Sequence, residues 1–232
     1  MYRAHSVVAV LFCLLLAAGQ LLAAAPSTRG ISPADEFSEG FEDVDALFVP
    51  GGWVEINNSV PLGTTGWGQG LPEDEFPAHD GPADSYISAN FNNAGGAGTI
   101  SNWLLTPEVQ LQTGTRIEFW TRRVDSPFAD RLEVRLSTSG ASTDVGLSAL
   151  STGDFDTLLR SINPELGDDY PVVWTRFSIL LDGIEPGTTG RIAFRYFVTD
   201  SGPQGSLGDY IGIDTFSVEQ PLFSDRFEVL GF

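Results

Sequence analysis

The sequence contains no lysine, and its only cysteine is Cys13. Twelve arginines stand against 31 acidic residues, so the formal net charge is −19. A polyanion would be repelled by that field, and the cationic patches that release phosphate counterions are missing, so nucleic acid is excluded as a partner. Two readings of the acidity stay open: it keeps the chain soluble, or some carboxylates converge on a divalent cation. Histidine is nearly absent too. His5 and His79 are the whole complement, which leaves no set of imidazoles for a zinc site. No long segment shows 3.6-residue periodicity, and no Gly-x-Ser-x-Gly elbow occurs.

What is present begins with a leader. Arg3, the apolar run Val7 to Ala18 and the small residues Ala23-Ala24-Ala25 have the three-part form of a secretory signal, assigned to residues 1–25. The apolar run breaks at Gly19-Gln20, short of the roughly 18 to 20 residues a membrane span needs, and no comparable stretch follows. The expectation is an exported chain without an integral membrane segment after processing, extracellular or on the outer surface of a Gram-negative bacterium. Cys13 leaves with the leader. An exported domain with no disulfide suits a bacterium and must rely on its core or on a metal.

Glycine (26) and proline (14) are dispersed among short apolar stretches, the texture of a sandwich or barrel. Strands are expected at Ser85 to Phe91, Arg116 to Val124, Arg131 to Ser137, Trp174 to Leu181, Arg191 to Thr199 and Tyr210 to Val218. In RLEVRLS, Leu132, Val134 and Leu136 face one way and Arg131, Glu133 and Arg135 the other. Residues 61–82 and 92–99 read as loops by composition, and Phe155 to Ile162 as one short helix capped by Asp154. Residues 26–36 form a lead-in, 37–220 one domain, and 221–232 a tail.

Asp214 is out of place in the strand YIGIDTFSV. If Phe216 and Val218 define the core face, simple alternation points Asp214 the same way; otherwise it is a half-exposed Asp on a twisting strand. A buried, unpaired carboxylate costs several kcal/mol, so it needs an arginine, backbone donors or a metal. Glu42 is a second such carboxylate, in GFEDVDALFVPGGW at the expected first strand. In a jelly roll the first and last strands can lie side by side, which would bring Glu42 and Asp214 together. Two hard oxygen ligands with loop carbonyls describe a calcium site.

An ordered set of motifs runs from about residue 37 to 220. It comprises Gly40-Phe41-Glu42 with Trp53, Ser85-Tyr86-Ile87, Asn102-Trp103-Leu104-Leu105-Thr106-Pro107 and Phe119-Trp120-Thr121-Arg122. Asp130 to Ser137, Ala193-Phe194-Arg195-Tyr196 and Tyr210-Ile211-Gly212-Ile213-Asp214 complete it. In this the chain resembles the choice-of-anchor J domains of bacterial secreted proteins, related to the cleaved-adhesin domains and to MAM-like jelly rolls. The resemblance implies an all-β jelly-roll sandwich of two antiparallel sheets with no catalytic centre. It also implies structural calcium at the matching positions Glu42 and Asp214, with Asp80, Asp84 and Asn90 as weaker candidates. The ligand would be an extracellular glycan or protein. The tail 221–232 carries none of the sorting signals that follow such domains.

Two rival readings use other residues. Trp67, in the glycine-rich TTGWGQG loop, would serve a lectin-like site if its indole is exposed, and otherwise covers the sandwich edge. A secreted hydrolase would draw on His79-Asp80 or on a pair among the carboxylates. One of Arg122 and Arg123 must point inward and then needs a partner, Asp125 or Asp130 being nearest in sequence.

Overall fold

In the computed structural model, residues 36–50 and 52–221 are described. The expected signal peptide, the expected lead-in up to residue 35 and the tail from residue 222 lie outside the described residues. Thirteen strands occur among those described: β1 Phe37–Glu39, β2 Val54–Asn57, β3 Val60–Leu62, β4 Gly68–Gln69, β5 Ile87–Asn90, β6 Ala94–Leu105, β7 Val109–Leu111, β8 Arg116–Arg123, β9 Leu132–Ser137, β10 Thr157–Ile162, β11 Thr175–Leu180, β12 Thr188–Ser201 and β13 Tyr210–Glu219. They form two antiparallel sheets. The first runs β11-β8-β13-β5-β4 with β1 also on β13; the second runs β10-β9-β12-β6-β2 with β3 on β6 and β7 on β12. This is the jelly-roll sandwich, and its first and last strands pair, Phe37 opposite Val218 and Glu39 opposite Phe216.

Alternation decides what fills the space between the sheets. On β8, Ile117, Phe119, Thr121 and Arg123 are buried while Arg116, Glu118, Trp120 and Arg122 are not. A run of aromatic rings crosses the core: Trp53 to Phe216 at 5.5 Å, Phe216 to Phe194 at 5.5 Å, Phe194 to Phe119 at 5.1 Å and Phe119 to Phe177 at 5.6 Å. Each buried ring contributes on the order of 2–3 kcal/mol by area, and each edge-on pair about 1 kcal/mol more.

Both outer faces are covered in part by loops. Residues 138–156 lay Val145 and Phe155 on Trp103, Leu105 and Ala193 of the second sheet. Residues 70–86 lay Phe76 on Tyr86 and Tyr210 of the first, with Trp174 packed alongside. Gly212 makes the latter packing possible, because a Cβ there would come within about 3 Å of Trp174, Tyr86 and Phe76.

Two local expectations are corrected. Residues 157–162 are a strand, not part of a helix; they pair with β9 through a bulge between Leu158 and Arg160. An eight-residue helix is too short to hold itself in water, so sheet pairing wins. Residues 94–99 belong to β6 rather than to a loop. Their glycines admit the backbone of β3, where a Cβ on Gly98 would come to 2.6 Å from the Val60 carbonyl oxygen.

Candidate functional site

Asp214 pairs with Trp120 on β13–β8, but the register then shifts so that Ser217 faces Glu118. The irregularity centres on Thr215, whose φ of 49° lies in the left-handed region. It reverses the faces: Ile211 and Ile213 before it and Phe216 and Val218 after it all join the same core. Asp214 therefore leaves the sheet on the outer side, with Trp120 and Glu118. The alternation that would point it inward with Phe216 is overturned by one bulged residue.

Asp214 is nonetheless fully buried, because residues 77–85 fold over it. Its Oδ2 accepts the His79 N–H at 2.7 Å and the Asp80 N–H at 3.2 Å. Its Oδ1 accepts the Thr215 N–H at 2.6 Å and the Thr215 hydroxyl at 3.3 Å. Burial pushes the carboxyl up from its ordinary value, and the three backbone donors pull it back. The carboxylate thus fastens a loop to a bulge and offsets the strain of a β-branched residue at positive φ.

A cleft of about 280 Å³ opens beside it, between β1, β8 and β13. Glu39, Glu42, Asp80, Glu118 and Asp214 line it, together with Trp120. The opposite wall repeats the device at Thr215: Phe41 has φ 57°, and its N–H donates to Glu39 Oε1 at 2.9 Å. Burial raises the Glu39 carboxyl, with Glu42 adding to it. Glu118 is held below the usual carboxylate range by its bond to Arg176. His79 stacks on Trp120 with ring centroids 3.7 Å apart, and its Nδ1 shares a hydrogen bond with the Thr215 hydroxyl at 3.0 Å. The partner of this imidazole is thus a threonine whose hydroxyl also binds Asp214.

The cleft brings together Glu42, Asp80 and Asp214. Asp84 and Asn90 do not line it. Asp84 is exposed and accepts from Gln69 through its backbone carbonyl. Asn90 caps the short 3-10 turn Phe91–Asn93 by accepting the Asn92 N–H, and sits opposite Tyr210, four residues or roughly 13 Å along β13 from Asp214. Among the described residues, no three His, Cys, Asp or Glu side chains are grouped closely enough to hold a metal by themselves. The donor set is hard oxygen, which suits calcium in kind; in number it needs loop carbonyls as well.

Trp67 is a correction. Trp67 is only 5% exposed and belongs to the core; its backbone N–H donates to Glu55 Oε1 at 2.7 Å, which holds the loop inward. It is closed to a ligand. Trp120, Glu39 and Glu118 are the residues that sequence reasoning missed. The signal for Trp120 and Glu118 is the alternation of RIEFWTRR, which sets them opposite Ile117 and Phe119. Of the two arginines, Arg123 is the inward one, and it bonds the Val124 and Ser126 carbonyls.

The model of the Cleaved Adhesin Domain family matches residues 37–210, which spans β1 to the start of β13. The chain belongs to the cleaved adhesin domain family. The K1 cleaved adhesin domain of Lys-gingipain from Porphyromonas gingivalis has a similar structure, with a TM-score of 0.52 at 21% identity, over 80% of this chain and 98% of that one. The K3 domain of the same protein gives a TM-score of 0.50 at 18% identity, over 80% and 98%. At these identities the likeness is one of fold. No curated protein matches in sequence. In this adhesin domain, the acidic cleft lies where the first strand meets the last. No helix among the described residues is long and apolar enough to cross a membrane.

Proposed function

We propose that the chain is an exported, non-catalytic adhesion module that binds an extracellular glycan or protein and whose acidic cleft takes a calcium ion. The observation that carries the calcium reading is the gathering of Glu42, Asp80 and Asp214 on one cleft; among the described residues none of the three forms an ion pair, Arg116 and Arg176 both pairing with Glu118. Because protein donors already occupy both oxygens of Asp214, the ion would draw mainly on Glu42, Asp80 and nearby carbonyls. Asp214 would then hold the loop that presents Asp80. Family membership supports the adhesive role, and the N-terminal leader supports export.

Terbium tests the site, because Trp120 lies in the same cleft and can sensitise its emission. Adding terbium to the full chain is expected to give sensitised luminescence that calcium displaces and that Trp120→Phe abolishes. Emission that calcium leaves unchanged would overturn the site. A glycan and extracellular-protein array, read with and without calcium and with product analysis, tests the binding role; cleaved products would favour a hydrolase instead.

A further inference from the structure

Where the chain enters β13, a smaller cavity of about 160 Å³ lies between residues 126–130 and 200–209. Phe91, Phe128 and Pro203 line it. Three glycines complete the lining, and Asp209 is its one charged residue. Phe128 is 43% exposed, so one wall is open to solvent. The Asp209 N–H donates to Asp130 Oδ1 at 2.8 Å, while its carboxylate has no hydrogen bond or ion pair among the described residues. Behind it, Asp130 is fully buried, and its Oδ2 has no partner. Glu75 adds further negative charge, its carboxyl being raised by burial and then by Asp209. The guanidinium acting on Asp130 is that of Arg123, whose Nη1 is spent on two carbonyls, at 3.0 and 2.7 Å.

The volume is well below the roughly 300–1,000 Å³ of small-molecule sites, so it suits a single side chain. Aromatic and proline walls suit a methylene stem, and a lone carboxylate beside two phenyl rings suits a compact cation at its tip. No side chain lining the cavity can donate a hydrogen bond, which serves a sugar poorly, since hydroxyls need donors as well as acceptors. A second copy of this chain cannot supply the group, because it has no lysine.

We infer that this cavity receives a lysine side chain of a partner protein, with its ammonium against Asp209 and its stem along Phe91 and Phe128. The site is separate from the acidic cleft, and its test does not depend on calcium.

The amide spectrum of the full, isotope-labelled chain is recorded during titration with Nα-acetyl-lysine methylamide, its norleucine counterpart and a methyl glucoside. The lysine probe is expected to shift amides of residues 204–209 and of Phe128, with the norleucine probe roughly fivefold weaker. Asp209→Asn keeps the backbone bond to Asp130 and should weaken the lysine probe about fivefold with an unchanged melting midpoint. Phe128→Ala should weaken it as well. Equal binding of both amino-acid probes, shifts from the glucoside alone, no shifts, or full binding by Asp209→Asn would each overturn the assignment. The norleucine comparison uses the unaltered chain, so it decides the matter even if a variant misfolds.

Discussion

Arg195 and Asp214 are both buried on the outer faces of the sandwich, one on each sheet, yet they are neutralised differently. Arg195 meets opposite charge. Its Nη1 pairs with Glu133 at 3.1 Å, its Nε donates to Ser101 at 3.0 Å, and its guanidinium lies 3.7 Å from the Phe197 ring centre. Arg135 shares Glu133 at 2.8 Å, and the Ala149 carbonyl closes the cluster from above. Asp214 meets only backbone N–H groups and a hydroxyl, while Glu39, Glu42 and Asp80 share its cleft. Charge of both signs under a closed loop makes a sealed structural element. Charge of one sign beside an open cleft leaves room for a cation from outside, and that contrast separates candidate function from packing.

Removing the arginine should have the largest effect. Arg195→Met leaves Glu133 with Arg135 alone and is expected to cost about 3–5 kcal/mol by urea denaturation, equally with and without calcium. A loss under about 1 kcal/mol would show that the cluster is not a structural element.

Asp130 tests burial without adequate compensation. Its carboxyl is pushed up to about 6, chiefly by burial, from an ordinary 3.8. The folded state therefore holds this proton more tightly than the unfolded one. The associated stability is fully present below about pH 3.8 and is lost as pH rises through about 6, on the order of 2–3 kcal/mol in all. Asp130→Asn should flatten that decline in denaturation curves taken at pH 4.5 and 7. The same slope in both proteins would contradict it.

Asp214→Ala orphans the His79, Asp80 and Thr215 N–H groups and should cost about 2 kcal/mol in EDTA. Faster amide exchange confined to residues 79–80 and 215 would mark a loop clasp. Exchange accelerated throughout β13 would mark a residue that holds the whole sheet.

Much of this was readable from residue patterns. The six expected strands appear because alternation in stretches such as RLEVRLS and RIEFWTRR is a direct consequence of the pleat. The meeting of β1 with β13 followed from the jelly-roll reading; Glu42, expected on that first strand, lies three residues beyond it and still lines the cleft of Asp214. What escaped depends on contacts remote in sequence. The bulge at Thr215 turns Asp214 outward, yet its stabilising bonds come partly from His79 and Asp80. Glu55 decides the burial of Trp67 from twelve residues away. The glycines of residues 95–98 read as loop until the close approach of β3 gives them a place in a strand.

If the acidic cleft holds calcium as proposed, thermal unfolding with and without calcium will show it. With about 1 mM free calcium and a Kd of about 0.1 mM, mass action adds roughly 1.4 kcal/mol, raising the melting midpoint over that in EDTA by a few degrees. Glu42→Gln and Asp80→Asn should each remove most of that rise, and Asp84→Asn should not. Equal midpoints in calcium and EDTA at matched ionic strength would rule out a calcium site in this cleft.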